Sequence, residues 1–191
     1  MTAGSLSVTQ TAMARLRDAI DTPDSESIMS AGSMLQVAEM VGSTLSQVSR
    51  DVAQKMTAQA QSAKASMILA GQRRGGEMRM FLIYPEGNFI EATPDTPFLQ
   101  IGEHKYGKAL LDRVVRPDTT LPDAQKAVLL SMDSTLRSNL SVGMPLDLAL
   151  IEADALSVTM SRRIEADDET FHEMSTAWSA ALRDAFAEIV L

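Results

Sequence analysis

The sequence contains no cysteine, which excludes disulfides and thiolate zinc sites. Only two histidines occur, His104 and His172, and they lie far apart. Basic residues are outnumbered, 17 Lys and Arg against 25 Asp and Glu, for a net charge of −8. A nucleic-acid-binding surface usually shows as a basic excess, so none is expected. No apolar run approaches the roughly 20 residues that a membrane helix needs. The first residues lack the basic-then-apolar layout of a signal peptide. There is no glycine-rich phosphate loop of either standard spacing, and no HExxH, CxxC or GxSxG. These absences point to a soluble, cytoplasmic protein with no nucleic acid, membrane or cofactor as partner.

What is there suits one domain, residues 1–191, with a real core: the apolar fraction is 45% and charged residues make up 22%. The 13 methionines fall mostly on apolar helix faces and read as core filler. The chain opens "MTAGSLSVTQ". A Gly ahead of a helix is a common place to hold an anion, but such a device normally follows a strand, and none is visible before Gly4. The first helix is expected from about Ser7 to Ile20, with Ser7 and Gln10 at capping-box spacing. Val8, Ala12, Leu16 and Ala19 form its apolar face, and Pro23 bars its continuation. A longer helix is expected from about Ser33 to Met56, with Met34, Val37, Val41, Leu45, Val48, Val52 and Met56 at steps of three and four.

The period then changes. Residues 64–71, 78–84 and 89–92 read as three strands joined by Gly-containing turns, an antiparallel meander. The middle strand is apolar on both sides, so both faces of that sheet should be partly covered. Pro94 and Pro97 bar regular structure in the next loop, and a short strand is expected around Phe98–Ile101. Helices follow from about Lys105 to Val115, and from after Thr120 to about Arg137, where Thr120, Pro122 and Asp123 form a good N-terminus. Leu146, Leu148 and Leu150 alternate on one face of a strand that can pair with residues 157–165. A last helix, about Asp168 to Val190, carries Phe171, Met174, Trp178, Leu182, Ala185 and Ile189 on one stripe. Helix pairs flanking strand groups suggest sheets covered by helices, a layered α/β arrangement.

Three places invite a chemical reading. Glu165, Asp167, Asp168 and Glu169 cluster at the start of the last helix, as a metal site or as solvated charges favoured by the helix dipole. His104 stands in a loop beside Glu103, as an acid–base residue or as a surface histidine. The stretch "DSTLRSNLSVGMP" (133–145) is rich in hydroxyl and amide groups. Ser138, Asn139 and Ser141 either line a polar site or end the helix and satisfy loose backbone groups.

At residues 81–121 and 131–148, and on through "RRIEADD" and the last helix with Trp178, the sequence resembles the Anbu group of bacterial proteasome-related peptidases. These are relatives of the proteasome β subunit and of the HslV peptidase. The resemblance implies the Ntn-hydrolase fold, an αββα sandwich of two antiparallel sheets between helix layers. It implies peptide-bond hydrolysis by an N-terminal Thr or Ser whose own α-amino group serves as general base, tuned by an acidic residue and a lysine. It also implies an oxyanion held by a glycine N–H where a strand gives way to the first helix. On that alignment Gly4 is the oxyanion glycine, and the N-terminal nucleophile strands are expected to be missing from this chain. Thr2 then lies beside the oxyanion glycine and is not the nucleophile. Arg137-Ser138-Asn139-Leu140-Ser141-Val142-Gly143 matches the proteasome segment Arg-Asp-x-x-Ser-Gly that supports the N-terminal residue. Ser141 fits the supporting serine, and Ser138 stands where the aspartate would be. Gly102-Glu103 stands where proteasomes have Gly-Ser.

The resemblance further implies homo-oligomeric rings or open spirals acting on peptides or unfolded proteins. The expected function is that of a peptidase whose chain is inactive as it stands. The alternative is a non-catalytic, ring-forming scaffold subunit. A small-molecule amidase has no residue-level support.

Overall fold

Gly4 ends a short strand rather than standing alone before a helix. In the computed structural model, which describes residues 1–55 and 63–190, β1 (Thr2–Gly4) pairs antiparallel with β2 (Ala65–Gly71). Three residues carry too little pattern to read as a strand, and the partner lies far along the chain. The expected meander is present: β2, β3 (Arg79–Ile83) and β4 (Phe89–Glu91) are antiparallel neighbours, and the sheet order is β1-β2-β3-β4. These strands belong to the first of two units, Met1–Gly102 with Ile151–Ser157.

Helices α1 (Leu6–Asp21) and α2 (Met34–Lys55) pack on this sheet. Val8, Ala12 and Leu16 of α1 and Val37, Val41 and Leu45 of α2 share a core with Met67, Phe81 and Ile83. Phe81 meets Phe89 edge to face at 5.5 Å. The alternation along β3 gives it two faces, with Phe81 and Ile83 buried and Met80 and Leu82 half-buried. Helix α1 starts earlier than expected: Ser5 is its N-cap, without a side-chain cap bond, and the Ser7–Gln10 box does not form. The turn at Gly4 brings the chain out of the strand at once, so the helix begins at Leu6. In α2 the Ser33 hydroxyl accepts from the Gln36 N–H at 3.2 Å, while the Gln36 carboxamide accepts from Gly32 at 2.8 Å, a capping box shifted by one residue. The expected end of this helix at Met56 falls outside the described residues.

Helix α2 approaches the β3–β4 turn so closely that a Cβ on Gly42 would stand 2.2 Å from the Gly87 carbonyl oxygen. The expected strand at Phe98–Ile101 is absent. Instead Thr93 and Thr96 close a tight bridge around Pro94, and residues 98–101 join neither sheet. The returning segment 151–157 is tied to the end of β2. Gln72 donates to Asp154 at 2.7 Å and accepts from the Asp154 N–H at 2.6 Å.

The second unit, Glu103–Leu150 with Val158–Leu191, contains α3 (Lys105–Val114), α4 (Leu121–Ser138), the hairpin β5 (Leu146–Leu150) with β6 (Met160–Ile164), and α5 (Glu169–Glu188). Thr120 caps α4 as expected, its hydroxyl accepting from the Asp123 N–H at 3.3 Å. Helices α3 and α4 cross in contact at Gly107, where a Cβ would lie 2.1 Å from the Ser131 hydroxyl. Leu146, Ile164 and Phe171 form the buried core of this unit, joined by Leu129, Met132 and Met174. The expected apolar stripe of α5 is buried only over its first half; Leu182 and Ile189 are exposed. In each unit an antiparallel sheet carries helices, so the chain is of the α+β class. No helix among the described residues is long and apolar enough to cross a membrane.

Candidate active site

The ladder between β1 and β2 determines where the backbone of Gly4 points. Met1 and Ile68 exchange both bonds, at 2.8 and 2.9 Å, and the Ser5 N–H donates to the Lys64 carbonyl at 2.9 Å. In an antiparallel pair such bonded positions alternate with non-bonded ones. Thr2 and Gly4, opposite Met67 and Ala65, therefore turn their N–H and C=O groups away from β2. Gly4 also has φ +105, and a Cβ there would lie 2.4 Å from the Lys64 oxygen and 2.9 Å from the Ala65 Cα. Only glycine fits. Its N–H is followed directly by the first turn of α1, whose own leading amides carry no side-chain cap. A strand-edge amide beside a helix N-terminus is a site for negative charge. Gly102, with φ +74, lies next to this strand: its missing Cβ would be 3.5 Å from that of Ala3.

The other candidate residues belong to the second unit. Ser138 is the exposed last residue of α4. Asn139 is the C-cap, and its N–H returns to the Thr135 carbonyl at 2.9 Å. The Asn139 carboxamide oxygen then accepts from the Ser141 N–H at 2.8 Å and from the Ser141 hydroxyl at 2.6 Å. Ser141 is thus held in a turn organised by an asparagine side chain. Leu140, between them, is fully exposed.

Arg137 turns back along its helix. Its Nε donates to Asp133 at 3.1 Å, and its terminal nitrogen donates to the Ser175 hydroxyl of α5 at 2.6 Å. Ser175 in turn donates to Asp133 at 2.7 Å. Sequence reading missed this triad. The Asp133–Arg137 spacing of four was a usable signal, but Ser175 lies a single place off the apolar stripe and gave none.

Glu103 serves α3, its carboxylate accepting from the Lys105 N–H at 3.4 Å. His104 is the N-cap residue of that helix, without a side-chain cap bond. The His172 ring lies 2.9 Å from the Asp168 carbonyl. In the acidic cluster, Asp168 is the N-cap of α5. It accepts from the Phe171 N–H at 2.9 Å and from Arg162 at 2.6 Å. Glu165 pairs with Arg163 at 3.2 Å. Among the described residues no group of His, Asp or Glu is arranged to hold a metal ion.

The Phe171 amide, and then the Arg162 guanidinium, hold the Asp168 carboxyl below its ordinary value of 3.8. Such a group stabilises the fold above its unfolded pKa, and the contribution is lost as pH falls through the folded value. The melting temperature of Asp168→Asn should therefore fall less than that of the parent when pH is lowered below about 4. Thermal melts of both proteins across that range test this, and parallel curves would refute it.

No family model matches the chain, and no curated protein matches it. Solved structures do. Over 100% of this chain and 79% of the other, it is 46% identical to the Anbu (Gly-1) mutant from Hyphomicrobium sp. strain MC1, with a TM-score of 0.92. It is 39% identical to Anbu (ancestral beta-subunit) from Yersinia bercovieri, covering 100% and 78%, with a TM-score of 0.93. It is 40% identical to the chain in the helical assembly of the Anbu complex from Pseudomonas aeruginosa, covering 100% and 78%, with a TM-score of 0.92. Identity and coverage at this level, on the fold described above, show that the chain belongs to the Anbu family of proteasome-related proteins.

Proposed function

We propose that this chain is the oxyanion-holding and loop-supporting part of an N-terminal-nucleophile peptidase acting on peptides or unfolded proteins. The observation that carries the reading is the Gly4 N–H: a non-bonded strand position, a positive φ, and a helix start immediately after it. A donor fixed in that way can meet the negative charge of a tetrahedral intermediate without reorganising. Ser141, tethered to Asn139, and the neighbouring Ser138 are the supporting hydroxyls. The reading assigns no nucleophile to these 191 residues. On the family alignment Thr2 falls beside the oxyanion glycine and not at the position of the nucleophile, which is why it is assigned no attacking role.

The purified chain is expected to show no turnover of fluorogenic peptides. Turnover that survives Thr2→Ala would require another nucleophile, and turnover that Thr2→Ala abolishes would make Thr2 the nucleophile; either result overturns the proposal. An added upstream segment that begins with Thr or Ser and carries an acidic residue and a lysine is expected to confer activity.

The helical assembly of the Pseudomonas relative supports a homo-oligomer here as well. It also favours a second reading, a non-catalytic subunit whose work is assembly. The same upstream extension separates the two, since a scaffold subunit stays inactive with it.

A further inference from the structure

The end of α5 is exposed and apolar. Leu182, Phe186 and Ile189 follow one another at steps of four and three, and are 50%, 79% and 69% exposed. They share one side of the helix end, and Arg183, three residues before Phe186, flanks them. The same unit contains an open groove of about 390 Å³ between α3, α4 and α5. Leu110 and Val114 of α3, Leu130 of α4 and Trp178 of α5 form its apolar wall, and Asp118 stands on its rim. Asp118 sits in the turn closed by the Thr119 N–H on the Arg116 carbonyl at 3.0 Å.

We propose that Phe186 and its apolar neighbours in one copy of this chain seat in the α3–α4–Trp178 groove of a second copy, with Arg183 of the first against Asp118 of the second. Three observations select this occupant. First, the apolar tip cannot fill its own groove. Trp178 in the groove wall and Phe186 at the tip lie eight residues apart on one continuous helix, about 12 Å along its axis. Second, the charges are complementary. Arg183 is the cation flanking the apolar tip, and Asp118 is a carboxylate at the rim. Among the described residues neither has an ion-pair partner within its own chain, although Asp123 and Lys126 at the same rim are paired with each other at 2.9 Å. Third, an aromatic side chain entering an apolar pocket with a charge at its edge is the arrangement that dominates the energy of protein interfaces. Because tip and groove are different surfaces, each copy can receive one neighbour and engage another, the type of contact that propagates into rings or helices.

This inference rests on the homo-oligomer reading and names its contact. Sedimentation velocity of the full 191-residue chain, over a wide range of concentration, tests both. The parent is expected to self-associate. Phe186→Glu, Asp118→Arg and Arg183→Asp should each weaken association about tenfold or more. The double charge reversal, Asp118→Arg with Arg183→Asp, should regain most of what either single reversal loses. All three side chains are exposed in the single chain, so circular dichroism spectra should be unchanged. A parent that stays monomeric throughout overturns the oligomer reading and this inference together. A self-associating parent whose variants associate unchanged, or whose double reversal regains nothing, overturns this inference alone and leaves assembly to another surface.

Discussion

Gly4→Ala is expected to lower the unfolding free energy by about 3 kcal/mol, the sum of a steric and a conformational cost. The added methyl would stand 2.4 Å from the Lys64 backbone oxygen, just before β2, and 2.9 Å from the Ala65 Cα at its start. Neither is the flexible end of a side chain, so relief requires β1 and β2 to separate. Overpacking of that kind typically costs about 1–3 kcal/mol. A φ of +105 adds strain for any residue with a Cβ. Gly143→Ala is the matched control, because a Cβ there meets nothing within 4 Å and the backbone is not left-handed. It should change stability by no more than a few tenths of a kcal/mol. Denaturant titration of the two variants decides the matter, and equal midpoints would show that the β1 corner yields without cost. The site reading depends on this rigidity, since an oxyanion donor works only if its amide is fixed before the charge develops.

The helices and the meander were legible because their signals are local. Val37, Val41, Leu45 and Val48 mark a helix face whatever surrounds them, and Thr120 with Pro122 marks a start. The alternation at Phe81 and Ile83 and the turns around Gly75 and Gly87 fix the strands in the same way. What failed was what depends on distant partners. β1 is a strand only because residues 65–67 come to lie beside it. The segment Phe98–Ile101 has strand-like residues but follows two prolines. The last turns of α5 keep an apolar pattern that their own unit does not bury. Residue pattern records which side of a helix is apolar, not whether the same chain covers it.

The site divides along the same line. The loop after α4 was visible from composition, because Ser, Asn and Gly cluster there. That the Asn139 side chain holds Ser141 twice was not. Gly4 stood out as a glycine ahead of a helix, but its oxyanion role came only through family resemblance, since its outward N–H follows from the ladder register and its φ, neither of which is written in "TAGS".

Asp133→Ala is expected to cost about 3 kcal/mol. The Asp133 side chain is 7% exposed, while that of Arg137 is 58% exposed. The pair is therefore lopsided: its carboxylate is buried and its cation is largely in water. A surface pair of that spacing would be worth a few tenths of a kcal/mol. Here the buried carboxylate also receives the Ser175 hydroxyl from another helix, at 2.7 Å, and Arg137 closes the triangle on Ser175 at 2.6 Å. Two charge-assisted bonds are lost together with a buried side-chain volume, and α4 and α5 lose their polar link. Arg137→Ala should cost less, about 1 kcal/mol, because it removes a partner that water can partly replace. Ser175→Ala should fall between them. A double-mutant cycle on Asp133 and Ser175 should return a coupling of at least about 1 kcal/mol, and additive losses would mean that the two side chains act separately. The triad lies one turn before Asn139, so its loss should also loosen the turn that holds Ser141. Faster amide exchange at residues 139–142 in Asp133→Ala, with the β1–β2 ladder unaffected, is the expected sign that this carboxylate fixes the end of α4.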